Sequence, residues 1–312
     1  LTPEIRHVAR NYAIVLPSFL LLIFGNIETG FSELPSAGRG RESAPVDREG
    51  IAATHPAVEV ASSHAKRRMT EEAYAKANVL SPGDMRKRFA ASGVLRCPGG
   101  GSSAQVTGAR DVITTVAHAF RDACNPPVSP DKCIFEYYLG AERRSIPLSS
   151  ALWVGACSDG ARRGGRADWA VAKLAFPADV TPYEVYEQPE TLVDLEPVMA
   201  VVGYDIEATG KTDKYGPFNK TIQECQIRDA KDVQTFETDC EFEFGASGSA
   251  VFRRWGQRMT MLGVVFGDHH DKSYCPLGGC EFKSRTWSSL FVALRGEFKD
   301  QLLATARQSA AR

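Results

Sequence analysis

The chain has 312 residues, with 37 basic and 38 acidic side chains and a formal net charge of -1. That balance gives no overall field to draw the protein to nucleic acid or to an acidic membrane surface, so partners have to be argued from individual sites. The length suits one large domain with an extension, because all-β units often run to about 200 to 250 residues.

In chain order, basic Arg6, His7 and Arg10 precede an apolar run from Ala13 to Gly25 that is interrupted by Pro17. This pattern predicts a signal peptide over residues 1–38, with cleavage near Ser36, Ala37 and Gly38, and no stable membrane span after its removal. Residues 39–91 read as a linker or pro-segment. Their first part, to about Ala65, is rich in Gly, Pro, Ser, Ala and charge, without sustained apolar periodicity. Within it, Thr70 followed by Glu71, Glu72, Ala73, Tyr74, Ala75, Lys76 and Ala77 has a capping residue and good helix formers, which predicts a short helix ending before Ser81-Pro82-Gly83.

From residue 92 to 312 the texture is that of a single β-rich domain. Short apolar runs at Val112–Val116, Ile134–Leu139, Trp169–Leu174, Val198–Tyr204, Ser249–Phe252 and Met259–Val265 alternate with Gly, Pro and Asp turn signals. Many short strands with frequent turns predict a sandwich or barrel. Between Trp287 and Arg307, Leu290, Phe291, Leu294, Phe298, Leu302 and Leu303 fall at near-helical spacing, which predicts a closing amphipathic helix. Eight cysteines form an even set beyond residue 96, as expected of a disulfide-bonded protein in an oxidising compartment, secreted or periplasmic.

Three residues have the chemistry of acyl transfer. Ser247 lies in Gly245-Ala246-Ser247-Gly248-Ser249, where flanking glycines permit a tight turn that would aim the Gly245 and Ser247 amides at one oxygen. His118 ends the strand-like Ile113–Ala117, and Asp168 directly precedes the Trp169–Leu174 run. Each has an ordinary structural alternative: a hairpin turn, a strand-end histidine and a turn or cap carboxylate. Together they occur in the order base, orienter, nucleophile, which differs from the orders of subtilisin and of α/β-hydrolases.

With that order, Val112–His118, Ala167–Leu174 and Phe244–Phe252 resemble the three signature segments of the chymotrypsin-like serine protease family, in particular its bacterial trypsin-like and glutamyl endopeptidase branches. The resemblance spans about residues 92 to 300. It implies an all-β fold of two antiparallel β-barrels, here with a C-terminal helix, and peptide-bond hydrolysis without a cofactor or metal. It also implies His118 as general base, Asp168 as its orienter, Ser247 as nucleophile, and Gly245 and Ser247 as the oxyanion hole.

Substrate-binding residues would come from Glu241, Phe242 and Glu243 before the serine, and from Val265, Phe266 and Gly267 on the strand after it. Glu241 would favour a basic substrate side chain, whereas His269 or His270 would favour an acidic one. Ala246 stands where family members carry Asp or Asn, which removes the carboxylate that an N-terminal amine would pair with on activation.

A protein or peptide substrate and a monomeric state are expected. A second expectation is an inactive homologue that keeps the fold for binding. A zinc site at His269, His270, Cys275 and Cys280 is a third. Proximity along the chain instead bonds Cys275 to Cys280, Cys124 to Cys133 and Cys225 to Cys240, leaving Cys97 for Cys157.

Overall fold

The computed structural model describes residues 68–98, 100–120, 127–155, 167–186, 197–204, 220–242, 245–255, 258–270 and 287–310. The expected signal peptide, Cys124, Cys157, Cys275, Cys280 and Glu243 lie outside this set. Among the described residues, no helix is long and apolar enough to cross a membrane.

The described chain opens with a two-residue strand, β1 (Met69–Thr70), followed by helices α1 (Glu71–Ala77) and α2 (Pro82–Arg88). Thr70 Oγ1 caps α1 by accepting from the Ala73 amide at 3.2 Å, with Glu71 and Glu72 in the first turn. Ser81 Oγ caps α2 by accepting from the Asp84 amide at 3.0 Å, with Pro82 opening the helix and Arg86, Lys87 and Arg88 closing it. Helices of seven residues are not stable alone in water, so burial must hold them. Tyr74, Met85 and Phe89 are fully buried in the main core, with the Tyr74 and Phe89 rings edge to face at 6.3 Å. Residues 69–91, expected as the end of a linker or pro-segment, are thus built into the compact unit that runs from Ala61 to Arg312.

The first half is a closed antiparallel barrel. Its strands are β2 (Ser92–Cys97), β3 (Gly100–Val106), β4 (Val112–Thr115), β5 (Ile134–Leu139), β6 (Glu142–Val154) and β7 (Ala170–Leu174), in the order β2-β3-β4-β7-β6-β5. The predicted apolar runs form β4, β5 and β7. In the β2–β5 pairing Arg96 faces Ile134, so the next residues outward, Cys97 and Cys133, meet across the two strands and are bonded to each other. This corrects the expected partners: strand register, not proximity along the chain, joins Cys133 to Cys97 rather than to Cys124, and Cys97 to Cys133 rather than to Cys157.

The second half is a nine-stranded sheet. It contains β1 together with β8 (Glu184–Val185), β9 (Val198–Val202), β10 (Thr221–Cys225), β11 (Ile227–Ala230), β12 (Thr235–Thr238), β13 (Ala250–Trp255), β14 (Arg258–His270) and β15 (Trp287–Ala293). The strand path is β1-β10-β9-β13-β14-β15-β12-β11, with β8 added in parallel to β14. Cys225 and Cys240 are bonded, as proximity suggests.

The expected closing helix begins later than predicted. Trp287–Ala293 is strand, because the backbone there is paired on both sides, with β14 and with β12. Gly296, at φ +50°, then turns the chain into α3 (Gly296–Ala310). That helix packs against the first barrel: Phe298 stacks on Trp169 at 4.9 Å, and Lys173 Nζ on β7 donates to Ser309 Oγ at 2.9 Å.

Candidate active site

His118 stands just beyond β4, in a single 3-10 turn (Ala117–Ala119) entered through the extended, buried Val116. The β4–β7 register brings its partner. Thr115 faces Ala170, and two residues further along each strand, outside the ladder, Ala117 lies across from Asp168. Both carboxylate oxygens are then used on one residue: Asp168 Oδ1 accepts from the His118 amide at 3.0 Å, and Oδ2 is 2.7 Å from His118 Nδ1. The Asp168 side chain is 7% exposed and that of His118 is 21% exposed. A carboxylate only accepts, so it selects the tautomer with hydrogen on Nδ1 and leaves Nε2 its lone pair.

Ser247 is set by the turn around it. Gly245 has φ +95° and Gly248 φ +84°, conformations that a side chain strongly disfavours. Space forbids one as well. A Cβ on Gly248 would fall 2.0 Å from the Ser103 carbonyl oxygen and 2.3 Å from Thr115 Oγ1, and one on Gly245 would fall 2.4 Å from the Tyr204 carbonyl oxygen.

The turn is bonded to both halves of the fold. The Ser103 amide on β3 donates to the Ser247 carbonyl at 2.8 Å, and Ser103 Oγ donates to the Gly245 carbonyl at 2.9 Å. On the other side, the Gly248 amide donates to the Val265 carbonyl of β14 at 2.7 Å. Thr115 Oγ1 donates to the Ser103 carbonyl at 2.7 Å, which links the seat of the turn to the strand that leads into His118. The Gly245 and Ser247 amides donate to no acceptor among the described residues. Ser247 Oγ and the His118 ring are not hydrogen-bonded to each other there either; the ring's partner is Asp168.

The expected substrate-binding residues are placed unevenly. Phe242 and Val265 are buried in the second hydrophobic core together with Ala246, and Phe266 is buried at 6% exposure. Beside Gly267 there is open space, since a Cβ there would meet nothing within 4 Å. Glu241 is buried and ion-paired, its carboxylate 3.3 Å from the Arg68 guanidinium. Its backbone is held by Gln223, whose side chain accepts from the Glu241 amide at 2.8 Å and donates to the Glu241 carbonyl at 2.7 Å. His269 and His270 belong to β14 by their backbone.

Sequence reasoning missed Ser103, Thr115 and Arg68. Ser103 follows a Gly-rich stretch that reads as loop, Thr115 reads as an ordinary β-branched strand residue, and Arg68 ends a basic run that reads as solvated.

A closed six-stranded barrel, a second β unit that is antiparallel apart from β8, and the last helix constitute the chymotrypsin-like two-barrel fold. Solved structures agree with that architecture. The chain is similar to a Glu endopeptidase in complex with MPD, at 13% identity and a TM-score of 0.53, over 70% of this chain and 92% of that one. It is also similar to a scabies mite inactivated protease paralogue, at 13% identity and a TM-score of 0.51, over 71% of this chain and 97% of that one. No protein-family model matches the sequence, and no curated protein does.

Proposed function

We propose that the protein is a serine endopeptidase, secreted or periplasmic, that cleaves peptide bonds through an acyl-enzyme. The observation that carries this reading is the two-point grip of Asp168 on His118, on the strand that also supports the Ser247 turn. In the proposed reaction Ser247 Oγ attacks the scissile carbonyl carbon as His118 Nε2 takes its proton. Asp168 steadies the resulting imidazolium, and the Gly245 and Ser247 amides donate to the oxyanion. His118 then protonates the leaving amine, and water, deprotonated in turn by His118, releases the acid and restores Ser247. The disulfides Cys97–Cys133 and Cys225–Cys240 support an oxidising compartment. Nothing in this scheme requires a cofactor or a second copy of the chain.

A binding module without turnover is the second reading. It is favoured by the lack of a hydrogen bond between Ser247 Oγ and the His118 ring among the described residues. A fluorophosphonate probe separates the two. The endopeptidase is expected to be labelled at Ser247, with labelling abolished in Ser247→Ala and slowed about 10⁴-fold in Asp168→Asn, which loses the tautomer control. An oxidised, folded protein that takes no label is the outcome that makes it a binding module.

A further inference from the structure

We infer that Ser103 is a positioning residue for the reaction: its hydroxyl, buried between the Tyr204 amide and the Gly245 carbonyl, fixes the turn that carries Ser247 and keeps the Gly245 amide aimed at the oxyanion. The inference rests on the endopeptidase reading above and names the residue that sets its oxyanion donors.

The Ser103 hydroxyl lies between two groups of fixed sense. The Tyr204 amide can only donate, and it donates to Ser103 Oγ at 2.9 Å. The Gly245 carbonyl can only accept, so the single hydroxyl hydrogen is directed to it, also at 2.9 Å. A one-way relay of N–H to O–H to O=C thus runs from the chain just beyond β9, through β3, into the Ser247 turn, and bonds in such a chain strengthen one another. The Ser103 amide is shared between the Gly245 carbonyl at 3.1 Å and the Ser247 carbonyl at 2.8 Å, so the hydroxyl gives Gly245 a donor of its own. At 1% exposure, Ser103 makes these bonds away from bulk water, where a lost partner is costly.

Two peptide planes meet at Gly245, one bearing its amide and the other its carbonyl. A glycine visits both signs of φ with little penalty, so the direction of that amide has to be set from outside the residue. Ser103 ties down the carbonyl plane. Tyr204 walls the other side, because a Cβ on Gly245 would fall 2.4 Å from the Tyr204 carbonyl oxygen and 2.9 Å from its ring. Tyr204 is held in its turn: the Arg96 guanidinium lies over its ring, 5.4 Å from the centroid, and Arg96 Nε donates to Glu136 at 2.6 Å. The preceding Gly203 approaches β2 so closely that a Cβ there would meet the Gly93 carbonyl oxygen at 2.1 Å. Ala246 adds no polar anchor, since its methyl is buried in the second core. An oxyanion donor acts only once charge has developed on the substrate oxygen, so loss of this alignment should slow turnover and leave substrate binding intact.

The full chain is compared with Ser103→Ala, Ser103→Thr and Ser103→Val. Threonine and valine have the same outline and differ by the hydroxyl, so crowding by the added methyl is common to both; either this pair or the alanine variant suffices. On a fluorescence-quenched peptide that wild type cleaves, kcat of Ser103→Ala should fall about tenfold to a hundredfold while KM stays within about twofold. Ser103→Thr should exceed Ser103→Val in kcat by about tenfold or more. The inhibition constant of the matching peptide aldehyde should rise in Ser103→Ala by the factor that kcat loses, because its carbonyl oxygen becomes an oxyanion when Ser247 Oγ adds to its carbon and gives its proton to His118. A wild-type kcat in Ser103→Ala, a loss confined to KM, or a valine variant equal to the threonine variant overturns the inference.

A second measurement needs no turnover. In amide hydrogen exchange followed by NMR, the Tyr204 amide should exchange about tenfold or more faster in Ser103→Ala than in wild type. The Ala178 amide, bonded to the Arg110 carbonyl at 2.8 Å, should keep its rate and so exclude a global loss of stability as the cause. Equal exchange at Tyr204 in the two proteins, or the same acceleration at Ala178, overturns the inference. If wild type takes no fluorophosphonate label, the endopeptidase reading fails, and the exchange rates alone decide whether the Ser103 hydroxyl holds the turn.

Discussion

Gly248→Ala is the most direct probe of how the Ser247 turn is built. The new methyl carbon would begin 2.0 Å from a backbone carbonyl oxygen and 2.3 Å from Thr115 Oγ1, whereas ordinary contact starts near 3.4 Å. Neither neighbour yields easily, because Ser103 is a strand residue and Thr115 Oγ1 is bonded to it. The turn or the strand must therefore shift on the order of 1 Å, a displacement that costs about a hundredfold in a positioned reaction. Forcing alanine to φ +84° adds about 1–2 kcal/mol, and crowding a packed site about 1–3 kcal/mol. The expected loss is about 3 kcal/mol, or a fall in Tm of about 6–12 °C for a folded unit of this size. Calorimetry reads the stability, and the fluorophosphonate labelling rate reads the placement of Ser247. Gly83→Ala is the control: it lies in α2 with its nearest neighbour, Ser81 Oγ, at 3.8 Å, and should stabilise by up to about 1 kcal/mol. A Gly248→Ala protein that melts and labels like wild type would refute the close approach of this turn to β3 and β4.

Phe298→Ala, which empties a fully buried site against Trp169, should destabilise by about 3–5 kcal/mol in chemical denaturation; a loss under about 1 kcal/mol would mean that α3 is not docked as described. Replacing Cys97 and Cys133 together by serine opens a crosslink across 36 residues and should cost about 4 kcal/mol, measured against wild type under non-reducing conditions. Lys220 supplies a pH test. Burial pushes its pKa below the ordinary 10.5, with Glu71 opposing, so between the lowered value and 10.5 the unfolded chain holds more protons than the folded one. Stability contributed by this group is therefore reduced below the folded pKa and recovers as pH rises through that window. Lys220→Met should remove this alkaline recovery from the Tm profile, and parallel profiles for the two proteins would contradict the burial of the charge.

The β4 and β7 strands were legible because both are buried apolar runs that begin or end beside a chemical residue. The order of His118, Asp168 and Ser247 was legible for the same reason. Their register was not: only the sheet shows that Thr115 faces Ala170, which draws Asp168 to His118. The same missing information misled the cysteine pairing, since Cys97 and Cys133 are neighbours across strands and distant along the chain. Leu290 and Leu294, and Phe291 and Leu294, stand at helical spacings, yet pairing on two sides makes Trp287–Ala293 a strand. β6 went unseen because Glu142-Arg143-Arg144 reads as loop, although it pairs with β5 at the barrel surface. Arg68 carried no signal at all, since a buried arginine is recognisable only with its acid in view.

The two short additions to the β framework are exchanged between its halves. β1, which precedes the first barrel in the chain, is an edge of the second sheet, while α3, which follows the second sheet, lies behind the strands of the first barrel that lead to His118 and Asp168. On the ribosome, the first barrel can therefore be wound early but not finished, because its bracing helix emerges only after the whole second sheet has been made. β1 likewise waits for β10. The hydrolytic apparatus proposed here would thus be assembled late in synthesis, and splitting the chain between its halves would leave each fragment missing a piece that the other carries.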